Sequence, residues 1–221
     1  MAEPLLAVGV LISGSGSNLQ ALIDRMAEGS VPARIALVIS NQAEAYGLER
    51  ARLAGIPTRV IHHRAFPDRQ HFEQAMIAAL NAAGVELVCL AGFMRVLTPC
   101  FIRAFQGRLL NIHPALLPAF PGLHVQQRAI DSGARFSGAT VHFVTEEVDA
   151  GPIVAQAAVP ILDHDTAQTL AARILTQEHR LYPMAVSLFA QKRLQISGQR
   201  VHILNGREEP EAALIVPPPE P

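Results

Sequence analysis

The chain has 221 residues, of which 50% are hydrophobic and 17% are charged. This composition supplies enough apolar side chains for one large domain, or one domain with a tail, and excludes a mostly disordered chain. The net charge is -1 at pH 7, so a protein that binds nucleic acid through a general positive field is not expected. An anionic ligand must therefore be held by local donors.

The sequence also argues against several classes of protein. Cys89 and Cys100 lie in apolar stretches without metal-ligand spacing, which indicates reduced thiols in a cytoplasmic protein. No stretch approaches the ~20 apolar residues of a membrane helix, and the N-terminus lacks the basic segment of a signal peptide. The scattered histidines form no H-E-x-x-H pair, so no metal site is expected.

Predicted strands and helices alternate five times in the first half of the chain. Apolar runs predict strands at 5–12, 34–39, 59–62, 85–91 and 108–113. Amphipathic segments between them predict helices, the third of which has Asp68 as its N-cap. This alternation predicts an α/β fold: a mainly parallel, twisted sheet with helices on both faces. Ligands of such sheets bind at the carboxyl ends of the strands.

The second half of the chain is less regular. A Pro-rich loop, a helix, a strand and a polar loop are predicted at 114–122, 125–132, 138–144 and 145–151. Pro160 interrupts one or two strands, and a helix capped by Thr166 follows, which Pro183 kinks or restarts. We expect one domain over 1–190, a hairpin or extension over 191–206, and a disordered Pro- and Glu-rich tail over 207–221.

A Gly-rich segment, Ser13–Asn18, connects the first predicted strand to the first predicted helix. Its glycines let the backbone approach a ligand closely, and several N–H groups converge there with the positive end of the helix dipole. Ser17 and Asn18 add side-chain donors. The segment lacks the Lys of a P-loop and the third small residue of a dinucleotide fingerprint. It predicts a phosphate site, with a simple tight turn as the alternative.

Asn111 and His113 end the fifth predicted strand and, two residues apart, point to the same face. An Asn amide can donate to a developing oxyanion, and an imidazole can donate to it or move a proton. Such a pair usually needs a carboxylate. Asp149 in the polar loop is the first candidate, with Glu146 and Glu147 as alternatives. The pattern predicts acyl transfer. The other interpretation is that the pair only caps the proline loop.

Several motifs in a fixed order carry a resemblance to a known family. They are SGSGSNL at 13–19, AGFMR at 91–95, LNIHP at 110–114, LLP at 116–118, PG at 121–122, VHFV at 141–144, DAGP at 149–152 and TQEH at 176–179. In this order and spacing, from about residue 6 to 190, the chain resembles the folate-dependent phosphoribosylglycinamide formyltransferases. Ala115 and Ala119 depart from the pattern, because many relatives carry Ser and Lys there.

The resemblance implies a Rossmann-like formyltransferase fold and an enzyme of de novo purine (IMP) biosynthesis. It would transfer the formyl group of 10-formyltetrahydrofolate to the amine of N1-(5-phospho-D-ribosyl)glycinamide through a tetrahedral intermediate. The products would be tetrahydrofolate and formylglycinamide ribonucleotide. By the family pattern, Asn111 and His113 stabilise the oxyanion. Asp149 holds His113 and organises a water that relays the proton.

The resemblance also implies the ligand contacts. Gly16, Ser17 and Asn18 would hold the substrate phosphate, and Glu178 would meet the ribose. The residues implied around the folate are Asn111, Met94, Arg95, Val96, Leu97, Leu109, Val144, Thr145, Glu146, Glu147, Val148 and Asp149, with Arg69 near its tail. The implied partners are these small molecules alone, with no nucleic acid and no membrane. The implied protein is a cytoplasmic monomer or weak homodimer.

Three other functions compete with this interpretation. A methionyl-tRNA formyltransferase is expected to carry a further C-terminal domain, and a formyltetrahydrofolate hydrolase is expected to carry an N-terminal regulatory domain. A nucleotide-binding oxidoreductase is expected to have an acidic residue after the second strand, where this chain has Ser40-Asn41. The phosphate loop favours a nucleotide substrate over water.

Overall fold

A computed structural model describes residues 4–206 of the chain, so the expected tail at 207–221 lies outside the described residues. The strands are β1 (Leu6–Ile12), β2 (Ala33–Ser40), β3 (Thr58–Val60), β4 (Leu87–Leu90), β5 (Leu109–His113), β6 (Phe136–Phe143), β7 (Ile153–Pro160), β8 (Leu194–Ser197) and β9 (Arg200–Ile203). The α-helices are α1 (Ser17–Ala27), α2 (Tyr46–Leu53), α3 (Arg69–Ala82), α4 (Pro99–Ala104), α5 (Val125–Asp131) and α6 (Ala167–Ala190). A short 3₁₀ turn lies at His63–Ala65.

The strands form one nine-stranded sheet in the order β3-β2-β1-β4-β5-β6-β7-β9-β8. The first five strands in this order pair in parallel, as their apolar runs predict. β6 then pairs antiparallel with β5, and β7 pairs antiparallel with β6. The predicted mainly parallel α/β sheet is confirmed, and the antiparallel strands add to it beside β5.

Helices cover both faces of the sheet, because side chains of the central strands alternate between two cores. Val8 and Val10 of β1 pack on the face covered by α1, α2, α5 and α6. Ala7 and Leu11 pack on the opposite face, under α3 and α4. A strand buried on both sides is apolar at every position, and this explains the uninterrupted apolar run of β1.

Asp68 and Thr166 cap their helices as predicted, since each side chain accepts a hydrogen bond from a backbone N–H three residues later. Of the two outcomes expected at Pro183, a kink or a restart of the last helix, the restart is wrong, because α6 continues through it to Ala190. Proline removes one backbone hydrogen bond, but the buried neighbours Tyr182 and Ala185 hold this turn against the sheet.

The region predicted as one or two strands forms a single strand, β7, which ends at Pro160. At this last position the missing N–H removes no hydrogen bond from the interior of the sheet. β3 is only three residues long and exposed, at the edge of the sheet. A hairpin of β8 and β9 turns around Gly198, which has a positive φ of 60°. β9 contacts β7, so the hairpin extends the same sheet.

Candidate active site

The candidate site lies where β1, β4 and β5 end, because parallel strands place their carboxyl ends along one edge of the sheet. Asn111 and His113 leave β5 on the same side, next to the antiparallel strand β6. The register places Asn111 opposite His142 and His113 opposite Thr140. β6 ends opposite Leu110, near the start of β5, and the polar loop 145–151 that follows folds back so that Asp149 reaches His113.

Asp149 is the carboxylate that faces His113. Its Oδ2 lies 3.4 Å from His113 Nδ1, and the two side chains are only 10% and 6% exposed. The backbone N–H of Gly122 donates to the same oxygen at 2.8 Å. Glu146, one of the two alternatives predicted from the sequence, instead forms a surface ion pair with Arg103 at 2.9 Å, and Glu147, the other alternative, is exposed. Of the three carboxylates, Asp149 is the one that lies against His113.

The second ring nitrogen of His113, Nε2, lies 3.0 Å from the main-chain oxygen of Phe120. A carbonyl oxygen can only accept, so Nε2 carries the hydrogen in this arrangement. The ring therefore has an N–H donor on one side and a carboxylate on the other. Chemically, such a ring can donate to a developing negative charge and share a proton with Asp149.

His142 also belongs to this cluster. Its Nδ1 donates to the main-chain oxygen of Phe143 at 2.9 Å, and its Nε2 accepts from the Asn111 amide, Nδ2, at 3.2 Å. Nε2 also lies 3.8 Å from Asp149 Oδ1. The hydrogen bond to His142 engages one N–H of Asn111 and so orients the amide. The second N–H of Asn111 then points away from His142.

Burial lowers the pKa of His142, and the nearby His113 charge lowers it further. The Phe143 carbonyl and Asp149 act in the opposite direction, but the net shift is downward. A lowered pKa keeps the ring neutral at neutral pH, which it must be to accept from Asn111. The sequence alone does not decide whether His142 belongs to the site or is a strand residue whose hydrogen bonds are satisfied locally. A polar residue within an apolar strand was the available signal.

The Gly-rich loop precedes α1, and Gly16 is the N-cap residue with φ 69°. No side chain caps this helix, so the N–H groups of its first turn are open to a ligand. The Asn18 amide, Nδ2, donates to Glu178 Oε2 at 2.6 Å and is therefore already engaged. This hydrogen bond connects Asn18 of the predicted phosphate loop to Glu178, the residue implied for the ribose, although the two are 160 positions apart in the sequence.

Glu178 is only 6% exposed. Burial raises the pKa of its carboxyl group, while the hydrogen bond from Asn18 and the charge of His113 oppose the rise. Tyr182, one turn later on α6, donates its hydroxyl to the main-chain oxygens of Leu90 and Leu110, each at 3.0 Å. This anchor fixes α6 against β4 and β5, and so positions Glu178 beside the site.

The residues implied for the folate divide into exposed and buried sets. Met94, Val96 and Val148 are exposed apolar side chains, whereas Leu97 and Leu109 are buried in the core under α3 and α4. The Met94 N–H donates to the hydroxyl of Ser13 at 2.9 Å, which connects segment 94–97 to the Gly-rich loop. The Val144 N–H donates to the Leu109 main-chain oxygen at 2.9 Å, so loop 145–149 begins beside β5.

Three other implied folate residues lie outside the hydrogen-bonded cluster. Arg95 is half-buried, Glu147 is exposed, and Arg69 is exposed at the first residue of α3. Within residues 4–206, no hydrogen bond or ion pair joins Arg69 to Asn111, His113 or Asp149. Thr145 donates its hydroxyl to the Glu147 main-chain oxygen at 3.2 Å, which shapes the loop from within.

No group of three or more His, Cys, Asp or Glu residues suited to a metal ion occurs in the described part of the chain. Among the described helices, none combines the length and the apolar character needed to span a membrane.

The chain is similar to proteins of known name. Phosphoribosylglycinamide formyltransferase of Escherichia coli (strain K12) is 46% identical over 187 residues, which cover 85% of this chain and 88% of the relative. The trifunctional purine biosynthetic protein adenosine-3 of Drosophila pseudoobscura pseudoobscura is 53% identical over 86% of this chain, which spans only 14% of that protein.

A crystal structure of glycinamide ribonucleotide transformylase 1 from Symbiobacterium toebii superposes with a TM-score of 0.91 at 53% identity. The superposition covers 92% of this chain and 96% of that one. Residues 6–186 match the formyl transferase family. The family match covers most of the residues that build the sheet and the whole His113 cluster, and we conclude that this chain belongs to the formyl transferase family.

Proposed function

We propose that the chain transfers the formyl group of 10-formyltetrahydrofolate to the amine of N1-(5-phospho-D-ribosyl)glycinamide. The observation that carries the proposal is the arrangement of Asn111, His113 and Asp149 at the sheet edge that also holds the Gly-rich loop. The names of the E. coli relative and of the S. toebii structure describe the same activity in those proteins. The products are tetrahydrofolate and formylglycinamide ribonucleotide, in purine biosynthesis.

Asn111 and His113 supply the donors for the first step. The amine nitrogen forms a bond to the formyl carbon, and the electron pair of the C=O bond moves to oxygen. The second N–H of Asn111 and the Nε2–H of His113 then donate to this oxyanion. Asp149, 3.4 Å from Nδ1, compensates the positive charge of the imidazolium.

Asp149 serves the second step. The bond between the formyl carbon and the folate nitrogen breaks, and the oxyanion returns to a carbonyl. The attacking nitrogen loses a proton and the departing folate nitrogen gains one, so the reaction needs no external acid. Asp149 organises the water that carries this proton, because it is the carboxylate against His113.

The loop after β5 controls access to His113. In the structure the Phe120 main-chain oxygen accepts from Nε2 at 3.0 Å. The formyl oxygen takes the place of this carbonyl when substrate binds, so the segment around Phe120 must move. Phe120 has a positive φ of 55°, a conformation that a non-glycine residue holds at a cost.

The remaining residues bind the two substrates. The open N–H groups at the start of α1 donate to the phosphate, with Gly16, Ser17 and Asn18, and Glu178 meets the ribose. The folate lies along 94–97 and 144–149, where Met94, Val96 and Val148 offer exposed apolar surface. Arg95 and Arg69 suit the carboxylates of its glutamate tail.

We also infer the setting of the reaction. Both substrates are small polar molecules, and the net charge of -1 gives no general attraction to nucleic acid. We propose a cytoplasmic monomer or weak homodimer that uses no metal. We also propose that the formyltransferase domain spans residues 1–190 and that 191–206 form a hairpin extension of it.

A coupled absorbance assay tests the proposal. Tetrahydrofolate formation is followed with the formyl folate present, with and without the glycinamide nucleotide. We expect turnover only when the nucleotide is present, and no turnover with NAD. Loss of the formyl group without the nucleotide would instead support a hydrolase. NAD binding without folate binding would support an oxidoreductase.

A further inference from the structure

The Gly-rich loop is held from behind by helix α2. The backbone N–H of Gly47, in the first turn of α2, donates to the Gly14 main-chain oxygen at 3.0 Å. The approach is close enough that a Cβ on Gly16 would lie 2.5 Å from the Cα of Gly47. A Cβ on Gly47 would lie 2.6 Å from Ile12 Cδ1 and 3.1 Å from the Cα of Gly16, so this close contact requires glycine and fixes the loop against the helix.

Arg50, one turn further along α2, holds the next carbonyl. Its Nε donates to the Ser15 main-chain oxygen at 2.9 Å, and its Nη1 donates to Gln20 Oε1 at 3.2 Å. The guanidinium also lies over the Tyr46 ring, 4.9 Å from its centroid, which restricts its position. One planar side chain thus ties the loop to both α1 and α2.

These contacts decide which polar atoms of the loop can meet an anion. A main-chain oxygen near a phosphate would repel it, whereas a main-chain N–H would bind it. The Gly14 and Ser15 oxygens are both engaged by donors from α2. The loop has no lysine of its own, and among residues 4–206 Arg50 is the cation whose side chain hydrogen-bonds to its backbone.

The charge of Arg50 extends toward the start of α1. A groove of about 370 Å³ has Ser17, Gln20, Arg50 and His179 in its lining, and Arg25 and Arg180 line it as further cations. Burial lowers the pKa of His179, and the Arg50 charge lowers it further, which places His179 within the field of Arg50. Asp24 also lines the groove and has the opposite effect on His179.

We propose that Arg50 is the positioning residue of the phosphate loop: it withdraws the Ser15 carbonyl from the ligand and supplies the positive charge behind it. The inference rests on the proposed function, because it specifies how the nucleotide phosphate is recognised. Arg50 acts through the loop and takes no part in the formyl transfer.

Three variants test this role. R50Q removes the charge and shortens the side chain, R50K keeps a charge without the planar contact to Ser15 and Gln20, and R52Q is the matched control. Arg52 lies on the same helix, is 67% exposed and pairs with Glu49 at 2.6 Å, away from the loop. Melting temperatures identify any variant that fails to fold.

The main measurement compares kcat/KM for the glycinamide nucleotide with kcat/KM for the same compound without its phosphate. Losing one charge-assisted hydrogen bond near an anion corresponds to about a tenfold to hundredfold effect. We therefore expect R50Q to reduce the preference for the phosphorylated substrate by about tenfold or more. The values of kcat and of KM for the folate should stay nearly unchanged. R50K should recover part of the preference, and R52Q should match the wild type.

Inorganic phosphate separates this inference from the proposed function. Its dissociation constant, measured by calorimetry, should rise in R50Q but not in R52Q. If the wild type transfers no formyl group, the proposed function fails, and the phosphate titration still decides the role of Arg50. If R50Q lowers kcat/KM by the same factor for the substrate with and without its phosphate, and binds inorganic phosphate like the wild type, Arg50 has only a structural role and the inference is overturned.

Discussion

Replacing Asp149 with Asn removes one charge from the site and leaves the side-chain shape intact. The Asn oxygen can still accept from the Gly122 N–H, which donates to Asp149 Oδ2 at 2.8 Å, so the loop should keep its position. The change removes the negative charge 3.4 Å from His113 Nδ1. At an effective dielectric constant of about 20, two unit charges at this separation attract by about 5 kcal/mol, which is an upper limit.

The kinetic effect should be smaller than that limit, because the imidazolium charge is only partly developed in the transition state. General acid–base groups contribute about 10²- to 10⁴-fold, and we expect kcat of D149N to fall within this range. The assay is tetrahydrofolate formation at saturating concentrations of both substrates.

D163N is the matched control for D149N. It makes the same chemical change at a surface carboxylate, since Asp163 is 88% exposed and pairs with Arg135 away from the site, so its turnover should stay close to that of the wild type. Circular dichroism and the melting temperature establish that D149N is folded. Turnover of folded D149N within a few-fold of the wild type would refute the role assigned to Asp149, and an equal loss in D163N would show that the effect is not specific to the site.

Three further substitutions test other parts of the structure. Burial raises the pKa of Glu178 above 4.5, so the ionised carboxylate destabilises the folded protein as pH rises. E178Q should therefore raise the melting temperature at pH 7 but not below pH 4. A melting temperature lowered at pH 7 would contradict this. The hydrogen bonds from Arg173 hold the pKa of Asp165 far below 3.8. The ion pair therefore stabilises the folded protein above pH 3.8, and this stabilisation is lost as the pH falls toward the pKa of the folded state. Urea unfolding of D165N should show a loss of about 2–3 kcal/mol at pH 7, shrinking as pH falls below 4; a constant deficit would disprove the linkage. A Cβ on Gly151 would collide with the Phe143 carbonyl that holds His142, so G151A should cost roughly 1–3 kcal/mol and lower kcat, and unchanged values of both would contradict that packing.

Local sequence patterns predicted the parallel half of the sheet, because each of its strands is recognisable from its own residues. β1 is apolar throughout, and Asp68 and Thr166 mark helix starts by their side-chain chemistry. The helix does not restart at Pro183, because tertiary packing of Tyr182 and Ala185 outweighs the local cost of proline. Local preference is a weak guide wherever burial on the sheet decides.

The site was predictable only in part. Asn111 and His113 share a face because a strand repeats every two residues, which sequence alone shows. The choice of Asp149 over Glu146 required the turn that returns loop 145–151 to β5. His142 meets Asn111 through the register of two antiparallel strands, and a register between strands cannot be derived from one strand's sequence.

The most direct test of the central claim follows a labelled formyl group through one turnover. Enzyme, formyl folate carrying ¹³C in the formyl carbon, and the glycinamide nucleotide are mixed, quenched and analysed by mass spectrometry. We predict that the label appears in the formylated nucleotide at the rate at which tetrahydrofolate forms. Label released as formate at that rate, with unmodified nucleotide, would contradict transfer to the amine.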